Sequence, residues 1–138
     1  RGGIQHAVKK TIYIDQEYSL LNHQLSVYEQ AQSFNFTGLE EHEVNLRLNR
    51  FLFTKGSWNK SCDALSGGEK MRLTLCCLTI GNQAPDIIIL DEPTNNLDIQ
   101  NVEILTNAIK DYKGTIVAVS HDERFLKDIR VERFLLLD

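Results

Sequence analysis

The run Ile87-Ile88-Ile89-Leu90 constrains this chain more than any other stretch. Four consecutive aliphatic residues, introduced by Pro85-Asp86 and ended by Asp91-Glu92, are too few for a helix and apolar on both faces. That is the pattern of a strand covered on two sides within a parallel sheet. Parallel strands need long crossover connections, usually helical. The residues that follow supply one: with Asp98 as N-cap, Ile99, Val102, Leu105, Ile109 and Tyr112 carry helical spacing up to Gly114, and Thr115 to Ser120 is again β-branched and apolar. Strand, helix, strand in this order implies an α/β fold with a mostly parallel sheet, flanking helices and right-handed crossovers.

The rest of the chain fits around this unit. Thr11 to Gln16 reads as an earlier strand. Ser26-Val27-Tyr28-Glu29 and Thr37-Gly38-Leu39-Glu40 both match the capping box, so each is expected to open a helix, and helices should fill about 26–54. In the second, Val44, Leu48, Phe51 and Leu52 form one apolar stripe, leaving Glu43, Arg47 and Arg50 to solvent. A polar loop with Gly56, Trp58 and Lys60 leads to Leu65-Ser66-Gly67-Gly68-Glu69, and Met71, Leu75 and Leu78 then carry a helix to Gly81. Asp122 to Asp128 reads as a short helix packing Phe125 and Leu126, and Phe134 to Leu137 as a last strand.

Composition excludes several functions. The 138 residues suffice for one core; Lys plus Arg is 15 against 19 Asp plus Glu, a net charge of −4, which argues against nucleic-acid affinity built on a generally basic surface and leaves only local basic patches open, so direct DNA binding is not expected. No apolar run approaches the roughly 18 residues of a membrane-spanning helix. Cys62, Cys76 and Cys77 are odd in number and lack metal-ligand spacing, which predicts buried reduced thiols and a reducing compartment. The first residue is Arg1 and no secretory leader follows it, so the sequence reads as a piece of a longer polypeptide.

In an open α/β sheet, ligands collect beyond the carboxyl ends of the strands, which makes Gln16, Asp91, Glu92 and His121 the candidate site residues. Two adjacent carboxylates after an aliphatic strand suit a Mg²⁺ ligand beside a group that orients or deprotonates water, although acidic pairs in solvated turns are also common. Ser66-Gly67-Gly68 at a helix start would turn backbone amides, the helix dipole and a hydroxyl toward an anion; a plain turn with an N-cap is the competing explanation.

What raises these features above coincidence is their order in one chain: Gln16, then Leu65-Ser66-Gly67-Gly68-Glu69, Leu90-Asp91-Glu92-Pro93, Asn96-Leu97-Asp98 and Ser120-His121-Asp122. In this order the chain resembles the second part of an ABC-type ATP-binding domain, and within it the ABC-F subfamily, through Glu69-Lys70-Met71-Arg72 after the signature and Pro93-Thr94-Asn95-Asn96-Leu97-Asp98 as its D-loop. The resemblance implies a partial P-loop NTPase fold of the ABC type, with strand and Q-loop in 1–24, a helical signature subdomain in 25–84, and the Walker B, D-loop and switch-histidine part in 85–138. It implies Glu92 and His121 as catalytic residues. Ser66, Gly67, Gly68, Glu69, Gln16 and Asp98 are implied as nucleotide-binding, and Asp91 with Gln16 as Mg²⁺ ligands, partly through water. ATP and Mg²⁺ are the implied cofactors.

One motif of the family is missing. The chain contains no Gly-x-x-x-x-Gly-Lys-Ser/Thr, the loop whose amides and lysine cradle the β- and γ-phosphates, so the 138 residues alone are expected to lack ATPase activity. By resemblance the whole protein is a cytoplasmic ATPase that pairs with a second ABC ATP-binding domain and associates with the ribosome. Alternatives are the ATP-binding subunit of an ABC transporter and the C-terminal lobe of an SMC-like DNA-repair ATPase; the short capped helices of 26–64 lack the coiled-coil heptads the latter requires. Since 49 positions of largely helical chain separate Gln16 from Leu65, the glycine pair is expected to stand away from its own strand ends and to serve a second domain.

Overall fold

A computed structural model describes residues 10–81 and 85–129; the proposed strand at Phe134 to Leu137 lies outside the described residues. Three parallel strands, β1 (Thr11–Ile14), β2 (Ile87–Asp91) and β3 (Thr115–Val119), form one sheet in that spatial order. Tyr13 pairs with Ile89 and Ile89 with Val117, so the carboxyl ends of all three strands lie at one edge of the fold. The predicted aliphatic run is therefore the central strand, hydrogen-bonded on both sides.

Its two faces differ. Ile14, Ile88 and Leu90 are buried, whereas Tyr13, Val117 and Val119, on the opposite face, are 51%, 47% and 39% exposed. Covering on both sides was expected; among the described residues only one face carries helices. Both outer strands end earlier than predicted. The Asp15 carboxylate accepts from the Ser19 amide at 2.8 Å, which turns the chain before Gln16, and Ser120 Oγ accepts from the Asp122 amide at 3.0 Å, which turns it after β3.

Helix α1 (Val27–Gln32) opens on the expected capping box, with Glu29 N donating to Ser26 Oγ at 3.1 Å and Ser26 N to Glu29 Oε1 at 2.9 Å. Helix α2 (Glu41–Arg50) does not open on Thr37: its N-cap is Glu40, without a side-chain bond. Gly38 sits at φ 76°, a left-handed turn that ends the helical path, and Asn35 takes both polar groups of Leu39 instead. Residues 33–40 are consequently non-helical. Val44 and Leu48 are fully buried as predicted, but Leu52, at φ 70°, is 48% exposed, and Arg47 turns inward to donate to the Thr79 carbonyl.

Two short 3₁₀ turns lead to α3 (Gly67–Ile80), which carries the largest share of the core: Met71, Leu73, Thr74, Leu75, Cys76, Cys77 and Ile80 are all buried. Each large aliphatic chain so buried is worth roughly 1.5–3 kcal/mol. Helix α4 (Ile99–Asp111) packs on α3 through Leu105, Thr106 and Ile109, leaving Ile99 80% exposed and Tyr112 outside the helix as its C-cap. Helix α5 (Glu123–Asp128), capped by Asp122, buries Phe125.

Candidate functional site

Strand ends, two loops and one helix N-terminus meet in a cleft of about 130 Å³. Asp15 and Gln16 line it after β1, Asp91 at the end of β2 and Glu92 just after it, Asn95 and Asn96 from the following loop, and Gly67 from the start of α3. Gln16, Asp91 and Glu92, three of the four strand-end candidates, thus line one cleft, Gly67 lines it with them, and His121 is not among its lining residues. The expectation that the glycine pair stands apart from its own strand ends does not hold, because α3 runs beside the sheet and brings Met71, Thr74 and Leu75 against Ile14 and Leu90 in the same cleft. Separation along the chain did not become separation in space.

At the centre, Asp91 is the last residue of β2, and its Oδ2 accepts a 2.6 Å hydrogen bond from the Tyr13 hydroxyl. That bond, with the carboxylate's charge, raises the tyrosine pKa above its ordinary value of 10.0. The other Asp91 oxygen accepts no hydrogen bond from the described residues. Glu92 follows at φ 47°, a left-handed conformation uncommon for a non-glycine residue, held by its amide donating 2.7 Å to the Val119 carbonyl. This kink sends the Glu92 side chain toward β3, where Oε1 lies 3.5 Å from His121 Nε2. The glutamate is 16% exposed and the histidine 97%, so a sheltered carboxylate faces an imidazole on the open rim.

Other predicted residues carry structural bonds. Ser66 and Glu69 form a capping box, with Glu69 N donating to Ser66 Oγ at 3.2 Å and Ser66 N to Glu69 Oε1 at 2.9 Å; Lys60 Nζ is 3.7 Å from the same oxygen. Asp98 Oδ1 caps α4 through the Asn101 amide at 2.8 Å. Gly68 is buried, and a Cβ there would come within 2.2 Å of the Asn101 side chain, so its smallness already serves the α3–α4 packing. Gly67 is exposed, and a Cβ there would meet nothing within 4 Å.

The sequence reading missed Tyr13 and the bond from Thr94 Oγ1 to Asp122 Oδ2 at 3.1 Å. A tyrosine in a β-branched run is an ordinary strand residue until the register is known. Only then does the rule that alternate residues share a face align it with Asp91.

The donors present fit a shared cation and not a protein-built metal cage. Among the described residues no group of three or more His, Cys, Asp or Glu is placed to hold a metal. Mg²⁺ is commonly held by one or two carboxylates plus water and substrate phosphates, a pattern that Asp91, whose second oxygen accepts no hydrogen bond from the described residues, and Gln16 on the same cleft fit. The cleft is smaller than the roughly 300–1,000 Å³ of small-molecule pockets.

A family model described as ABC transporter matches residues 2–95. The chain belongs to that family. Its ABC sequence is 42% identical over 117 residues to the ATP-binding protein YdiF of Bacillus subtilis, covering 85% of this chain and 18% of that one. Identity is 41% over 87 residues to ABC transporter F family member 2 of Arabidopsis thaliana, covering 63% and 12%. It is 44% over 72 residues to the energy-dependent translational throttle protein EttA of Haemophilus influenzae, covering 52% and 13%. These relatives bear out the ABC-F resemblance, and the chain spans about a fifth of their length or less. Among solved structures, the ATP-binding cassette MJ0796, a dimer in a post-hydrolysis state bound to ADP and Pi, superposes with a TM-score of 0.66 at 24% identity, covering 87% of this chain and 56% of that one. That likeness bears out the ABC-type α/β fold. No helix among the described residues is long and apolar enough to cross a membrane.

Proposed function

We propose that this ABC domain hydrolyses ATP within a larger ABC-F-type protein, with Glu92 as the group that orients and deprotonates the attacking water. The observation that carries this reading is the convergence of Gln16, Asp91 and Glu92 on one cleft with His121 on its rim. A bound Mg²⁺ would neutralise charge developing on the phosphate oxygens, held by Asp91 and, through water, by Gln16. Glu92, sheltered and fixed by its backbone bond to Val119, accepts the proton from water. His121, exposed beside Glu92, donates a hydrogen bond to the terminal phosphate. Gly67 and the hydroxyl of Ser66 present the amino end of α3 to anionic oxygens, with Gly68, Glu69 and Asp98 shaping the loops around them.

The 138 residues hold no Gly-x-x-x-x-Gly-Lys-Ser/Thr loop to cradle the triphosphate, so alone they are expected to release no phosphate from Mg-ATP. A second ABC ATP-binding domain is the proposed partner, supported by the exposure of Ser66 and of Gly67, which lines the cleft. We place the protein in the cytoplasm, in keeping with three free cysteines, and on the ribosome, in keeping with its similarity to the energy-dependent translational throttle protein EttA. A family model described as ABC transporter favours a second reading, the ATP-binding subunit of a membrane transporter; two ATP-binding domains in the complete polypeptide and no permease partner would exclude it.

The test is Glu92→Gln in the complete protein. ATP binding should persist while steady-state hydrolysis falls about 10²-fold or more, the scale for losing a general base. Hydrolysis at the wild-type rate would remove Glu92 from the reaction.

A further inference from the structure

Core packing does not explain Tyr13. Its side chain lies on the sheet face that no described helix covers, and the residue is 51% exposed. The parallel register sets Tyr13 opposite Ile89, and alternation puts Ile89 and Asp91 on the same face as Tyr13. Side chains of a strand lean along its direction, so the ring reaches the next same-face position, where its hydroxyl donates to Asp91 Oδ2 at 2.6 Å. The distance is that of a charge-assisted O–H to carboxylate bond. A carboxylate's terminal torsion is otherwise broad, and this bond narrows it.

We propose that Tyr13 is a positioning residue whose hydroxyl holds one oxygen of Asp91 so that the other, Oδ1, is left to a divalent cation. The inference rests on the reading of Asp91 as the cation ligand and adds the group that orients it. Partners of metal-binding side chains fix ligand orientation, and their loss typically weakens metal affinity about 10–100-fold. Phenylalanine at position 13 would keep the ring on the sheet and delete only the donor.

The experiment is a Mn²⁺ titration of the complete protein with ADP present, free Mn²⁺ being read by electron paramagnetic resonance, for wild type, Tyr13→Phe and Asp91→Ala. Tyr13→Phe should weaken Mn²⁺ about tenfold, with ADP affinity in EDTA unchanged. Wild-type Mn²⁺ affinity in Tyr13→Phe, beside a large loss in Asp91→Ala, would overturn the role of Tyr13 and leave Asp91 as ligand. No loss in Asp91→Ala would overturn the ligand reading and Tyr13 with it. An equal loss of ADP affinity in EDTA would make Tyr13 a packing residue and overturn the proposal as well.

Discussion

Thr94 Oγ1 donates to Asp122 Oδ2 across 3.1 Å, tying the loop after β2 to the helix after β3. The other oxygen of Asp122 caps α5 through the Phe125 amide at 3.0 Å. Asp122→Ala should lose the cap, typically about 1 kcal/mol, together with about 1 kcal/mol for the threonine bond; Thr94→Val should lose only the second. Urea denaturation separates the two variants. Equal losses would mean that the cap contributes nothing.

The three glycines at Gly67, Gly68 and Gly114 should respond differently to alanine. Gly67 is the first residue of α3 with open space where a Cβ would stand, so Gly67→Ala should leave stability unchanged or raise it by up to about 1 kcal/mol. On the proposed reading it slows hydrolysis all the same. Gly68→Ala must displace the end of the Asn101 side chain. Gly114→Ala meets the Tyr112 hydroxyl at 2.1 Å and the Asp86 carbonyl at 2.7 Å, and should cost about 1–3 kcal/mol. Thermal midpoints ranked Gly67→Ala above Gly68→Ala above Gly114→Ala are the expected outcome; a destabilised Gly67→Ala breaks it.

Acid stability should depend on Glu69. The Ser66 amide donates to its carboxylate and holds its pKa below the ordinary 4.5, against an opposing effect of burial. A carboxyl group with a folded pKa below its unfolded one adds stability above the unfolded value, about 4.3, and loses it as pH falls through the folded one. Glu69→Gln can still cap α3 but cannot titrate. Denaturation between pH 6 and 3, at about half-unit steps, should show a shallower acid decline in the variant; parallel curves would mean that the carboxylate is not held.

The cysteines should be inert in the native protein. Burial pushes the Cys62 thiol up to about 11 and Cys76 up to about 12, and raises Cys77 as well, from an ordinary 9.0. Only the thiolate attacks a disulfide reagent. Ellman's reagent at about pH 8 should therefore react slowly with folded protein and rapidly with all three thiols in guanidinium. A fast native burst would place a thiol at the surface.

The elements read best from sequence were those whose signals agreed. The aliphatic run of β2 was bounded by Pro85 and Asp91, and the spacing of α4 was anchored by Asp98, the N-cap that the structure retains. Thr37 failed because a hydroxyl three residues before a glutamate is a local pattern, while Gly38 and Asn35 commit the same residues to a turn. Strand-end logic brought Gln16, Asp91 and Glu92 to one cleft. It could not place Gly67 beside them, because the path of α3 past the sheet is decided by tertiary packing of Met71 and Leu75. Tyr13 was invisible for a related reason: its meaning lies in a register between strands more than seventy residues apart.

The left-handed backbone at Glu92 bears on how such a domain can drift. A side chain in that region costs about 1–2 kcal/mol, a penalty that glycine escapes. Random change at this position is therefore biased: replacement by glycine relaxes the chain even as it abolishes the proposed base. Selection for folding alone would erode the carboxylate, so on the proposed reading its persistence in a lineage reports continuing demand for turnover. Descendants freed from that demand should become sturdier scaffolds that can still hold nucleotide.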